Sequence, residues 1–242
     1  MTNNLSIAES LNRLRKLKSG GHVEKAVHDV YMPLKREKKV NDFQLTKEVL
    51  WKLFKYYTPP KYVIDSRNEQ VLYTIMRYFL QDPEFNEYGK VKNVASVDKG
   101  LLIYGSYGVG KSLLFDTLHK VGRELITKAG CNDIWFNCIS AGSFVDRYMN
   151  AAKDHQNVDV FNIKNYYSGK LYIDDLGFEE KAFNKTEVLG ELLFERNRKK
   201  VKTFVTTNLK PSEITERYGE RIGDRLPEMF NIIQWNGESF RE

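Results

Sequence analysis

The chain has 242 residues, 41% of them apolar, which suffices for one ordinary domain with a real core plus an appendage. Its two cysteines, Cys131 and Cys138, form no metal-ligand set with the four scattered histidines, no apolar run approaches the ~18 residues of a membrane span, and the polar start (Asn3, Asn4, Ser6, Glu9) has no signal-peptide core. These features argue against a membrane or secreted disulfide-bonded protein and for a cytoplasmic one with reduced thiols, and the net charge of +6 is placed in one stretch.

Residues 1–60 hold 12 of the 38 basic and 6 of the 32 acidic residues, and the rest of the chain holds 26 of each. The whole excess therefore sits in the first quarter, which suggests an acidic partner or nucleic acid there. Within it, Ser6 to Lys18 reads as a short helix with Ile7, Leu11, Leu14 and Leu17 near one face, stopped by Gly20-Gly21. Val23 to Met32 reads as a second helix, and Lys35 to Lys39 as a solvated basic stretch. Thr46 can cap a third helix, with Val49, Leu50, Leu53, Phe54 and Tyr57 on one face and Pro59-Pro60 at its end. Helices this short must pack on each other, on the main domain or on a partner. A domain boundary is placed near residue 60.

Ser66-x-x-Glu69 has the capping-box pattern and opens a helix that carries Val71, Leu72, Ile75, Met76 and Phe79 on one side. Asn86 to Asp98 reads as a loop. Leu101 to Tyr104 is a short apolar strand, followed by Gly105-Ser106-Tyr107-Gly108-Val109-Gly110-Lys111-Ser112-Leu113 and a helix from Ser112 to Thr127. Strand, G-x-x-x-x-G-K-[ST] turn and helix together make a P-loop. Residues 105–113 would cradle phosphates, the helix N-terminus adds about half a positive charge, Lys111 reaches the β- and γ-phosphates, and Ser112 ligands Mg²⁺.

Asp133 to Ile139 is the next strand candidate, and Ser140 to Ala152 a helix. A polar, irregular stretch leads to the apolar strand Leu171-Tyr172-Ile173, which ends in Asp174-Asp175-Leu176-Gly177. This acidic pair lies 63 residues after Lys111 and completes an NTPase pattern. Asp174 is assigned to the Mg²⁺ shell, and Asp175 to orienting or activating the attacking water. Thr186 to Arg198 reads as a helix, and Lys202 to Thr206 as a strand ending at Thr207-Asn208, where Asn208 can hold the water or sense the γ-phosphate. Pro211 to Arg225 reads as one polar helical segment, which puts Arg217, Arg221 and Arg225 at i, i+4, i+8; Arg221 and Arg225 are candidate arginine fingers. Asn231 to Trp235 is the last strand. Strands alternating with helices give an α/β sandwich with a mainly parallel sheet, whose ligands sit at the carboxyl ends of the strands.

The motifs GSYGVGKS, LYIDDLG, TTN and GERIGDRL, with the closing Gly237-Glu238-Ser239-Phe240-Arg241, stand in an order that resembles the DnaC/IstB branch of AAA+ ATPases over about residues 60–242. That branch contains bacterial helicase loaders and the ATPase helpers of transposases. The resemblance implies a P-loop, AAA+-type three-layer sandwich with a five-stranded sheet, preceded by a small helical segment and without a separate C-terminal lid domain. It implies ATP and Mg²⁺ as cofactors, Asn208 as the sensor-1 residue, and Arg221 or Arg225 as a finger acting on a neighbouring subunit. The implied function is an ATPase that loads the replicative helicase, assembles as an ATP-dependent homo-oligomer, and binds single-stranded DNA and the helicase. A transposition regulator that recruits a transposase is the alternative, and a small-molecule P-loop kinase is a further one. Ser112-Leu113 stands where the branch usually has Thr-His, and residues 1–60 lack the cysteines of zinc-bearing loader N-domains.

Overall fold

The computed structural model describes residues 43–153 and 161–240, and the two expected helices before Pro33 lie outside them. The order is α1 (Lys47–Tyr57), α2 (Glu69–Phe79), β1 (Gly100–Tyr104), α3 (Lys111–Ala129), β2 (Asn137–Ser140), α4 (Ala141–Lys153), β3 (Leu171–Leu176), α5 (Val188–Arg198), β4 (Thr203–Thr207), α6 (Pro211–Tyr218), α7 (Glu220–Gly223), α8 (Leu226–Met229) and β5 (Phe230–Gln234). The five strands form one parallel sheet in the order β2-β3-β4-β1-β5. This is the expected α/β architecture.

Alternation along the central strands sends side chains to two cores. Leu101, Ile103, Tyr172, Phe204 and Ile233 pack with α1, α2 and α3. Leu102, Ile173, Val205 and Ile232 pack with α4 to α8 on the other face. Both faces are covered, as an all-parallel sheet requires. Among the described residues no helix is long and apolar enough to cross a membrane.

Several local expectations shift. Thr46 does cap α1, its hydroxyl accepting from the Val49 amide at 3.4 Å. That helix, however, buries Leu50 and Phe54 in the core it shares with the P-loop helix. The compact unit carrying the sheet starts at Phe43, well before the boundary near residue 60. The Ser66 capping box does not form. Asn68 precedes α2 instead, fully buried, and its side chain organises the loop before it: Nδ2 donates to the Val63 carbonyl at 2.8 Å and Oδ1 accepts from the Asp65 amide at 3.0 Å. Ile134 and Phe136 are buried ahead of β2, which starts only at Asn137. The segment from Pro211 breaks at Gly219, where φ is +88°, so Arg217, Arg221 and Arg225 do not share one helical face.

One buried charge ties the second core together. Arg196 is fully buried and forms no ion pair among the described residues, and its Nε donates to the Thr203 hydroxyl at 2.8 Å. Its guanidinium donates to the carbonyls of Tyr166, Gly169 and Lys202 at 2.5, 2.7 and 2.8 Å, and burial lowers its pKa to about 10.

Candidate nucleotide site

The P-loop and the acidic pair meet at the carboxyl ends of β1, β3 and β4. Gly110, at φ +102°, lies against the Tyr62 ring, where a Cβ would come within 2.8 Å of a ring carbon. Only glycine lets the backbone turn into α3 there. Lys111 opens α3 and is buried, and its Nζ donates to the carbonyls of Gly105 and Ser106 at 2.9 and 2.7 Å and to Oδ1 of Asn208 at 2.7 Å.

Ser112 donates to Oδ1 of Asp174 at 2.8 Å. The Tyr172 and Thr206 hydroxyls donate to the same oxygen at 2.6 and 2.7 Å. Three hydroxyls thus fix this carboxylate at the end of β3. Burial, with the Asp174 carboxylate beside it, pushes the Tyr172 phenol well above its ordinary value and keeps it a donor. Burial and the same carboxylate push Asp116, one turn along α3 from Ser112, upward as well. Burial with both carboxylates pushes the Cys138 thiol up to about 12. Negative charge gathers around Asp174, which suits a cation.

Asp175 stands at a register shift between β3 and β4, with φ +53°, a region that an L-residue enters at a cost. That conformation turns it off the strand, and it lines a cleft of about 450 Å³ with Tyr107, Gly108, Gly110, Lys111, Ser112, Leu113 and Asn208. Val109 points into the core instead. Sequence reading missed five lining residues: Pro59, Lys61, Tyr62, Phe178 and Phe240. The Tyr62 and Phe240 rings meet at a tilt of 56° with their centroids 5.4 Å apart, and the Phe240 amide donates to the Gly108 carbonyl at 2.9 Å. The only signal in the sequence was the closing Gly-Glu-Ser-Phe motif, which gave no role.

A family model described as the bacterial DnaA ATPase domain matches residues 89–232. The chain belongs to this family. The match spans β1 through most of β5, so this DnaA-type ATPase domain holds the P-loop, Asp174, Asp175 and Asn208. The domain is similar to the replicative helicase loader DnaI of Bacillus subtilis (strain 168), at 28% identity over 65% of this chain and 50% of that protein. It is also similar to the chromosomal replication initiator DnaA of Buchnera aphidicola subsp. Cinara cedri (strain Cc), at 27% identity over 57% of this chain and 31% of that one. The chain thus spans half or less of the curated relatives it matches. In fold it is similar to the crystal structure of the DnaC helicase loader, with a TM-score of 0.51 and 21% identity over 78% of this chain and 99% of that one. These matches agree with the resemblance to the DnaC/IstB type of AAA+ protein.

Arg221 and Arg225 of this DnaA-family chain do not line the cleft. Arg221 Cζ lies over the Phe194 ring, 3.5 Å from its centroid, Arg225 Cζ lies 5.6 Å from that centroid, and Nη1 of Arg225 donates to the Arg221 carbonyl at 2.6 Å. Neither forms an ion pair among the described residues, so nearby carboxylates do not neutralise them. Arg217 is bound to the turn after β3.

Proposed function

We propose that this chain binds and hydrolyses ATP and acts as a replicative helicase loader. The carrying observation is the 2.8 Å contact between Ser112 Oγ and Asp174 Oδ1. It joins the P-loop to the acidic strand end, so both halves of a nucleotide site face one cleft. The glycine cradle at Gly110 and the carboxylates near Ser112 fit a phosphate chain and a divalent cation. Mg²⁺, when bound, supplies positive charge against the phosphate oxygens, and Ser112 and Asp174 are the residues to hold it.

In this reading Lys111 leaves its loop carbonyls for the phosphates, and the backbone of residues 105–113 binds the phosphate chain. The Tyr62–Phe240 pair offers an aromatic face to a base. Asp175 accepts the proton of the attacking water, and Asn208, tied to Lys111, orients that water or senses the γ-phosphate. Arg221 or Arg225 completes the site of a neighbouring copy in an ATP-dependent homo-oligomer. Arg221 is exposed and Arg225 half-buried, and neither is held by an ion pair among the described residues. The partners proposed are single-stranded DNA and the replicative helicase, with residues 1–42 as the partner-binding region. The similarity to DnaI supports the loader over a transposition helper. The test measures ATP turnover and capture of the host's replicative helicase by the purified chain. Neither turnover nor helicase binding, with or without single-stranded DNA, would refute the reading.

A further inference from the structure

The turn that follows β3 is fastened carbonyl by carbonyl. The Phe178 amide donates to the Asp175 carbonyl at 3.0 Å, and the Thr207 hydroxyl to that of Leu176 at 2.6 Å. A single side chain holds two more. Arg217, on α6 and 40 residues along the chain, donates from Nη1 to the Gly177 carbonyl and from Nη2 to the Glu179 carbonyl. The Glu179 carboxylate closes the turn from within. Its side chain is only 1% exposed, it accepts from the Gly177 amide at 2.8 Å and from the Tyr218 hydroxyl, and it lies 3.3 Å from Nη2 of Arg217. Leu209 presses from the other side, where a Cβ on Gly177 would come within 2.3 Å of Cδ1.

Asp175 depends on such fastening. A left-handed non-glycine residue costs about 1–2 kcal/mol and persists only where its surroundings over-determine it. Thr207 fixes the near side of the turn; Arg217 and Glu179 fix the far side. Arg217 itself does not line the cleft. The guanidinium is also pulled toward the turn rather than toward its other acidic neighbour. Its buried Nε and Glu187 Oε1 stay 3.6 Å apart, each without a hydrogen bond.

We propose that Arg217 and Glu179 form a latch that positions Asp175, coupling the turn after β3 to α6 and thus to the segment that carries Arg221 and Arg225. They are positioning residues, and the proposal rests on the role given to Asp175 above. Loosening the latch frees residues 175–179 to leave the one geometry in which the carboxylate faces the cleft, without touching the P-loop that binds phosphate.

The test uses the full chain with Arg217→Ala, Arg217→Lys and Glu179→Gln, reading amide hydrogen exchange at residues 175–179 alongside kcat, KM and nucleotide affinity. Arg217→Ala is expected to speed exchange in that turn at least about tenfold while α3 keeps its protection. It should lower kcat by about 10- to 100-fold, with KM and affinity within about twofold. Arg217→Lys should recover only part of the loss, since one ammonium cannot fork two carbonyls. Glu179→Gln, close in size, keeps the test alive should Arg217→Ala fail to fold. Unchanged exchange at 175–179, or a drop in affinity as large as that in kcat, would overturn the latch. A wild-type chain that binds ATP without turnover would sink the hydrolysis reading, while accelerated exchange in the variants would still support the latch.

Discussion

Lys111 and Asn208 meet at 2.7 Å, the ammonium donating to the amide oxygen across 97 residues of sequence. The P-loop lysine and the end of β4 therefore set each other's position. Lys111→Ala is expected to abolish nucleotide binding or hydrolysis. It strands the carbonyls of Gly105 and Ser106, at a cost of about 1–3 kcal/mol each if water cannot reach them. The domain should stay folded, since the lysine lines the cleft rather than either apolar core. Unchanged turnover in this variant would remove the P-loop from the argument.

Asp174 and Asp175 should part company on substitution. Asp175→Asn is expected to keep ATP bound and to slow turnover by about 10²–10⁴-fold, the usual worth of a positioned base. Asp174→Asn should instead weaken Mg²⁺-dependent binding, and the hydroxyls of Ser112, Tyr172 and Thr206 would lose their carboxyl acceptor. Titrating ATP at several Mg²⁺ concentrations separates the two. Identical behaviour would mean that the division of roles is wrong.

Truncations should differ sharply on either side of α1. Removing residues 1–42 is expected to leave the ATPase unit's thermal midpoint nearly unchanged and to abolish helicase capture. Removing residues 1–58 also takes Leu50 and Phe54 out of the first core, each worth about 1.5–3 kcal/mol of burial. That chain should melt far lower or fail to fold. Equal midpoints for the two truncations would show that α1 is dispensable.

Arg221 and Arg225 share the Phe194 ring, so their parking place is known. Arg221→Ala and Arg225→Ala should each bind ATP normally, and at least one should hydrolyse it poorly; a finger supplied by a neighbour is worth about 10³–10⁵ in rate. Turnover should rise more than linearly with protein concentration, and more so with DNA present. Mixing the poor variant with Lys111→Ala should restore activity at junctions that join an intact P-loop to an intact finger. Strictly linear turnover with no rescue would make the site self-contained.

Much of this site was legible because it is built from local patterns. The P-loop and the Asp174-Asp175 strand end each declare themselves within ten residues, and apolar runs mark β1, β3, β4 and β5. What escaped the sequence depends on distant partners. Ser66 matched a capping pattern, but Asn68 took the position because Tyr62 and Val63 offer its buried side chain hydrogen-bond partners. The spacing of Arg217, Arg221 and Arg225 implied one helix, until Gly219 turned the chain and Arg217 was drawn to carbonyls 40 and 38 residues away. Pro59-Pro60 looked like a domain boundary, yet the helix before it packs on α3, a contact that no window of sequence contains. Phe240 reached the cleft through a backbone bond to Gly108, which leaves no trace in side-chain pattern.

The strand order has a consequence for the newborn chain. β1 carries the P-loop, yet its neighbours in the sheet are β4, at Thr203–Thr207, and β5, at Phe230–Gln234. While the ribosome is still reading the middle of the message, the P-loop strand has emerged with both of its edges unsatisfied. At roughly 5–20 residues per second the wait from Tyr104 to Phe230 lasts about 6–25 s. Through that interval Leu101, Leu102 and Ile103 are bare apolar side chains on an open edge, the kind of segment that chaperones grasp. Nucleotide added to stalled chains should therefore be captured only by those long enough to have released β5.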